Sequence, residues 1–229
     1  MKINYPGWEL QFFDKANFFR KYQFDLFKDY IKGVVAEVGP GNGTNIQYYR
    51  QKASKIECFE PSKSFFFKLK KKFIKDKNIK VNNKVFKKQK RKYNTILYLD
   101  VLEHIKSDEK EFLMAYANLK KGGTIIINVP AFNFLYSKFD KDIHHHKRYV
   151  KDDFLKLIKR IKYKEKKIFY YDSVGFILSL LAKFISFGDY KKNFSKKIKL
   201  WNLLIPLSRI IDKIIYYQFG KSIICIVTK

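Results

Sequence analysis

The chain has little of several things, and each shortage excludes something. Only two of its 229 residues are cysteine, Cys58 and Cys225, and both fall inside apolar, strand-like runs. That excludes a disulfide framework and fits a reducing, cytoplasmic setting. Five prolines and ten glycines leave no Pro/Gly/Ser linker to divide the chain, and no internal repeat is visible. The longest apolar run, residues 174–187, is broken by Lys183 and is too short to read as a membrane span. The opening MKINYPGWEL lacks the apolar stretch of a signal peptide. Acidic residues are few, 21 against 49 basic ones, which gives a formal charge of +28. Arginine is rare as well, six in all, so the positive charge is nearly all lysine. Proteins that read bases and phosphates lean on the arginine fork. Beside abundant Ile, Asn, Phe and Tyr, the lysine reads as the composition of an A/T-rich genome on a solvated surface. Its field still favours an acidic partner or an anionic membrane surface.

What is present is apolar substance: 46% hydrophobic and 18% aromatic residues, enough for a substantial core. From residue 8 to 31 the apolar side chains Phe12, Phe13, Phe19, Tyr22, Leu26 and Tyr30 recur at helical spacing. Strand patterns follow at 34–38, 55–59, 79–81, 95–99, 124–129, 167–171 and 222–228. Helical patterns lie between them at 44–51, 63–74, 107–119 and 150–161, with two more at 174–187 and 196–217. Ser62 and Ser107 stand where helix N-caps belong, and Lys120 to Gly123 reads as the C-terminal stop of a helix. Strands alternating with helices predict an α/β fold, a doubly wound, Rossmann-like sheet. We expect one domain over 1–229. It would comprise an N-terminal helical segment (1–32), a ligand-binding core (33–171), a helical insertion (172–219) and a last strand (220–229).

Chemistry concentrates at two places. The first is the turn after the first strand, EVGPGNG, with Glu37, Gly39, Pro40, Gly41 and Gly43. Glycines there admit positive φ and let a ligand approach the backbone, at the sheet edge where open α/β folds bind ligands. A dinucleotide fingerprint would need glycine at position 44, where Thr44 stands. Glu60 ends the second strand, followed by Pro61, and a carboxylate there can accept both hydroxyls of a ribose. The fourth strand runs into Leu99-Asp100-Val101-Leu102-Glu103-His104-Ile105. The second place is DIHHHKRY, which holds three of the four histidines. Both His-bearing segments follow strands at the carboxyl edge, so all four histidines belong to one side. Adjacent imidazoles rarely converge on one ion, so no metal is expected.

In this combination, over residues 33–130, the chain resembles the class I S-adenosylmethionine (SAM)-dependent methyltransferases, and within them the small bacterial enzymes that carry a DVLEHI motif. The resemblance implies a seven-stranded sheet whose last strand is antiparallel and inserts beside the fifth. It implies SAM as cofactor, with Gly39, Pro40, Gly41 and Gly43 around its methionine, Glu37 bracing that loop and Glu60 with Pro61 at the ribose. Leu99, Asp100 and Val101 would lie beside the reaction centre, and Asn82 or Asn83, with no carboxylate there, near the adenine. "VPAFNFLYSKFDKDIHHHKRY" resembles a loop of the same enzymes, matching at His145, Arg148 and Tyr149, with His144 and Lys147 as departures.

Methyl transfer from a sulfonium is an in-line displacement, so alignment and exclusion of water matter more than a nucleophile. A base is needed only for an acceptor that must lose a proton, and His104, His145 or Tyr149 would serve, with Arg148 to recognise an anionic group. The expected acceptor is a small molecule or is lipid-linked, because helices 172–219 are apolar with lysine flanks and fit peripheral contact with anionic membrane. The plainer reading of those helices is that they cover one sheet face. Two alternatives stand beside this: an RNA or nucleic-acid methyltransferase, suggested by the lysine run 84–92 but without a stacking or base-methylation motif, and a nucleotide-dependent oxidoreductase, opposed by Thr44.

Overall fold

The computed structural model describes residues 6–184 and 191–229. Seven strands form one sheet: β1 Gly33–Val38, β2 Ala53–Phe59, β3 Ile79–Asn82, β4 Tyr93–Leu99, β5 Leu119–Pro130, β6 Glu165–Tyr171 and β7 Ser222–Thr228. Their order is β3-β2-β1-β4-β5-β7-β6. The first five pair in parallel, and β7 runs antiparallel between β5 and β6, as the resemblance implies. Residues Ile125 to Ile127 and Ile223 to Val227 are buried whichever face they point to, because helices cover both sides.

The helices are α1 Leu10–Phe13, α2 Asn17–Asp25, α3 Ile46–Tyr49, α4 Lys63–Lys72, α5 Asp108–Ala117, α6 Lys138–Asp142, α7 Lys151–Ile158, α8 Ser173–Phe184 and α9 Phe194–Ile214. On one face Phe112 of α5 and Phe154 of α7 pack on Ile96, Ile125 and Cys225. On the other, Ile198, Trp201 and Ile205 of α9 join Phe19 and Tyr22 of α2 over Leu97, Ile126 and Ile224. The helical insertion therefore covers a sheet face. The expected helix 174–187 extends past the described residues at 185–187.

Two boundaries differ from the sequence reading. Lys120 to Gly123 does not stop a helix: α5 ends at Ala117, and these residues lie inside β5. Gly122 takes φ +72°, which lets them bulge between the Tyr93–Leu119 and Thr95–Thr124 pairs. Gly122 N–H and Gly123 C=O bond Lys229, so the bulge pairs with the chain's end. The helix expected over 44–51 shrinks to four residues, with a 3-10 turn at Arg50–Lys52.

The α2–α9 layer is tied by buried polar groups. Asn202 Oδ1 accepts the N–H of Phe19 (3.1 Å), serving in trans the first turn of a helix that lacks a side-chain cap of its own. Asp212, fully buried, accepts the Tyr22 hydroxyl (2.7 Å) and the N–H groups of Asp172 (2.7 Å) and Ser173 (2.9 Å). Asp172 in turn accepts Trp201 Nε1 (2.8 Å) and the N–H of Gly175 (2.9 Å). Asp212→Ala leaves three buried donors unpaired, each costing roughly 1–3 kcal/mol. We expect urea unfolding to show a loss of at least about 3 kcal/mol with an unchanged m value.

Candidate functional site

The glycine turn leaves β1 with Gly39, Gly41 and Gly43 at φ +62°, +55° and +65°. Three left-handed residues close together bend the chain sharply and turn its backbone toward the sheet edge. A Cβ on Gly39 would lie 2.8 Å from Val101 Cγ2, and one on Gly43 would lie 2.5 Å from Leu69 Cδ2. Beneath the turn, Glu37 is buried and accepts the Tyr49 hydroxyl at 2.6 Å. Burial raises its carboxyl to about 7. Glu60 ties the turn to the end of β2: Oε2 accepts Gly41 N–H (3.1 Å) and Oε1 accepts Ser62 N–H (2.8 Å). Burial lifts Glu60 to about 7 against the pull of those two donors.

Asp100 follows β4 at φ +58° and is pinned there. Its N–H bonds the carbonyl of Asn128 (2.8 Å), and its Oδ1 accepts Asn128 Nδ2 (2.7 Å). Its Oδ2 faces Arg20 at 3.4 Å. Arg20 comes from α2, is buried, and keeps an Nε with no partner among the described residues. Nothing in the sequence beyond its rarity among so many lysines singled it out.

The loop after β5 is organised by Asp140, which is fully buried. It accepts the Ser137 N–H and hydroxyl, His145 Nδ1, and Arg148 through both Nε and a terminal nitrogen, each at 2.9 Å. Burial alone would raise its carboxyl, yet the hydrogen bonds from His145 and Arg148 hold it well below the usual range. Glu103, also fully buried, has no hydrogen-bond partner on either oxygen among the described residues. Burial, then the charge of Asp100, pushes its carboxyl well above the ordinary value. The His104 and His145 rings meet edge to face at 4.7 Å. Burial pulls His104 down to about 3, so it is neutral near pH 7 and a weak proton acceptor.

These groups share one cavity of about 1720 Å³ at the carboxyl edge of the sheet. Gly39, Pro40, Gly41, Glu60, Pro61, Leu99, Asp100, Val101, His104, His145 and Arg148 line it; so do Arg20, Glu103, Asp140 and Lys221. The Lys221 ammonium lies over the Trp201 ring (4.5 Å), and burial lowers its pKa. Four expected residues do not line the cavity. Glu37 and Gly43 lie behind the turn. The Asn83 amide bonds the carbonyls of Glu60 (2.9 Å) and Pro61 (3.2 Å), and Val85 and Phe86 take the lining place instead. Tyr149 is buried with its hydroxyl on Asp108 (3.0 Å) and the Leu102 carbonyl (3.2 Å); burial and Asp108 push the phenol far above its usual value. It holds the two loops together and faces no substrate space. Of the three adjacent histidines only His145 is buried, while His144 and His146 are exposed at the cavity's rim. The meeting of ligand-type groups is across two loops, Glu103 and His104 with His145, which the adjacency argument overlooked.

A sheet of this order, with a glycine turn after β1 and a carboxylate after β2, defines the Rossmann-like class I methyltransferase fold. The chain belongs to the methyltransferase domain family, whose model matches residues 14–173. It is a SAM-dependent methyltransferase. Among solved structures it is similar to a SAM-dependent methyltransferase from Archaeoglobus fulgidus, at 15% identity over 96% of this chain and 97% of that one, with TM-score 0.63. It is also similar to Haemonchus contortus phosphoethanolamine N-methyltransferase 2 bound to phosphomonomethylethanolamine and S-adenosylhomocysteine (SAH), at 12% identity over 97% of this chain and 57% of that longer one, with TM-score 0.64. A third is the plantazolicin methyltransferase BamL with SAH, at 13% identity over 96% and 89%, with TM-score 0.62. No curated protein sequence matches the chain.

If Asp140 organises the loop as its bonds indicate, Asp140→Asn removes the counter-charge of a buried arginine. The expected loss is about 3–5 kcal/mol of stability. Hydrogen exchange should rise first at the amides of Ser137 and His145, and an unchanged loop would refute the assignment.

Proposed function

We propose that this methyltransferase transfers the methyl group of SAM, by in-line displacement, to a small-molecule or lipid-linked acceptor. The observation that carries this is the single cavity joining the glycine turn and Glu60 to His104, His145 and Arg148. The residues present fit the cofactor. Each Glu60 oxygen accepts one N–H and keeps a lone pair for a ribose hydroxyl. The left-handed turn bares its backbone where a Cβ would clash. The buried Nε of Arg20 suits the methionine carboxylate. Val85 and Phe86 offer an apolar bed for the adenine. When bound, SAM supplies a methyl group on a positively charged sulfur.

The protein's own part is alignment. Leu99, Asp100 and Val101 set the floor beneath the reacting atoms, with Asp100 fixed by Asn128. Phe13, Leu178, Ile198 and Trp201 wall the cavity and exclude water. Arg148 is already bidentate on Asp140, so it orients His145 and contributes positive charge near the acceptor. Small-molecule acceptors also suit the fold's neighbours, one of which holds phosphomonomethylethanolamine.

Incubation with methyl-labelled SAM should place label in low-mass or organic-extractable products; label recovered in RNA would overturn the acceptor class. Glu60 gives a pH signature. Only its carboxylate fully accepts the ribose hydroxyls, so raising pH through about 7 should tighten binding. Between pH 6 and 8 the Kd for SAH, which lacks the sulfonium charge, should fall by up to about tenfold. Calorimetry with Glu60→Gln should show a flat profile. A slope that persists would assign the effect to another group, such as Glu37.

A second reading concerns location. Leu200, Leu203, Leu207, Ile210 and Ile214 form an exposed stripe along α9, with Ile177 and Leu181 of α8 also exposed. No helix among the described residues is long and apolar enough to cross a membrane. Such a stripe, flanked by Lys196, Lys197, Lys199 and Lys213, fits an interfacial helix on anionic lipid. Co-sedimentation with phosphatidylglycerol vesicles at low salt should be strong and should fail for Leu203→Glu with Ile210→Glu. Absence of wild-type binding would sink this reading.

A further inference from the structure

Glu103 has no task in binding SAM. Its two oxygens are completely buried with no hydrogen bond among the described residues, a setting that holds an anion only when a cation meets it and otherwise keeps the group protonated. Two imidazoles stand beside it. One ligand atom from each of Glu103, His104 and His145 lies within 4.8 Å of the other two. His145 Nε2 is 3.8 Å from Glu103 Oε1.

The rings are also set in the tautomer that binds metals. His145 Nδ1 meets Asp140 Oδ1 at 2.9 Å. Asp140 is a carboxylate shared with Arg148 and accepts only, so the proton sits on Nδ1 and the Nε2 lone pair faces Glu103. His104 Nδ1 lies 3.3 Å from the carbonyl oxygen of His144, which again only accepts. A carboxylate or carbonyl behind each ring is the support that metal-binding histidines carry.

We propose that Glu103, His104 and His145 form a binding site for a divalent transition-metal ion. Two imidazoles with one carboxylate suit zinc and its neighbours better than magnesium or calcium. Donors about 2.0–2.2 Å from a four-coordinate ion stand roughly 3.3 Å apart, so this set, its atoms within 4.8 Å of one another, closes by up to about 1.5 Å when it binds. All three residues line the same cavity as Glu60 and Asp100, which directs the remaining position of the ion toward the acceptor. Holding an acceptor oxygen there rests on the methyl-transfer reading; binding of the ion does not.

The test uses the full chain, stripped with a chelator, and titrates Zn²⁺ by calorimetry and Co²⁺ by visible absorption. We expect one ion per chain, cobalt bands of a four- or five-coordinate site, and affinity at least tenfold weaker in Glu103→Gln and in His145→Ala. His146→Ala, at an exposed imidazole, should bind as the wild type does. Circular dichroism confirms folding, and SAH affinity is measured on every variant. Absence of stoichiometric binding by folded wild type, equal binding by Glu103→Gln, or loss of binding in His146→Ala each overturns the site. SAH bound without the ion would leave the methyl-transfer reading standing, and the ion bound without SAH would do the reverse.

Discussion

The loop proposed to face the acceptor hangs on the buried carboxylate of Asp140. Its five hydrogen bonds join the start of α6, the inward imidazole of His145 and the guanidinium of Arg148. A lone charge buried this deeply would be ejected or neutralised. The bidentate arginine cancels it, and the remaining donors satisfy its lone pairs, so the loop has one arrangement in which every partner is met. That arrangement also sets the His145 tautomer. It draws the backbone of the loop to the strand edge, where the N–H of His146 bonds the carbonyl of Glu103 at 2.8 Å.

The side proposed for the donor is built on the same physics from different elements. Asp100 takes a left-handed backbone, tolerable for an aspartate and here held by the side chain and carbonyl of Asn128 one strand over. Asn128 is held in turn by the hydroxyl of Tyr171 at 2.8 Å. Tyr171 packs against Phe19 and Tyr22 of α2, the helix that also delivers Arg20. The α2–α9 cover and the proposed cofactor floor are thus one connected structure, and the helices that hide the sheet also position the Arg20 guanidinium at the cavity.

Local pattern made the sheet legible. Alternation of apolar strands and helices, the EVGPGNG turn, Glu60 and the LYLDVLEHI segment lie in short stretches whose meaning depends on near neighbours. What could not be read depends on partners distant in the chain. Asp140 looked like one more charge in KFDKD, and Arg20 like one more surface cation, because burial leaves no local trace. Tyr149 matched a motif but points into the core, where Asp108 claims its hydroxyl. Asn83 stands at the right strand end, yet two carbonyls take its amide. Lys120 to Gly123 carries helix-stop residues, but pairing with the chain's final residue overrides them. The adjacent histidines were judged against each other, when His145 converges with Glu103 and His104 from a different loop.

The charge of the chain takes on meaning once it is sorted by depth. Among the described residues Glu9, Glu37, Glu57, Glu60, Glu103, Asp140, Asp172 and Asp212 are buried, whereas no lysine is. A strongly basic protein has therefore drawn a large part of its 21 acids inward and left most of its lysines towards water, with Lys221 half-buried at the cavity. Several of those acids gather around one cavity. Burial raises Glu37, Glu60 and Glu103, the mark of carboxylates short of positive charge. Acidic and basic groups both line that cavity, Glu60, Glu103 and Asp140 beside Arg20, Arg148 and Lys221. The outer surface, lysine-rich and bearing the apolar stripe of α9, presents positive charge. Charge is thus sorted by depth, with carboxylates gathered at the sheet edge and positive charge spread over the exterior.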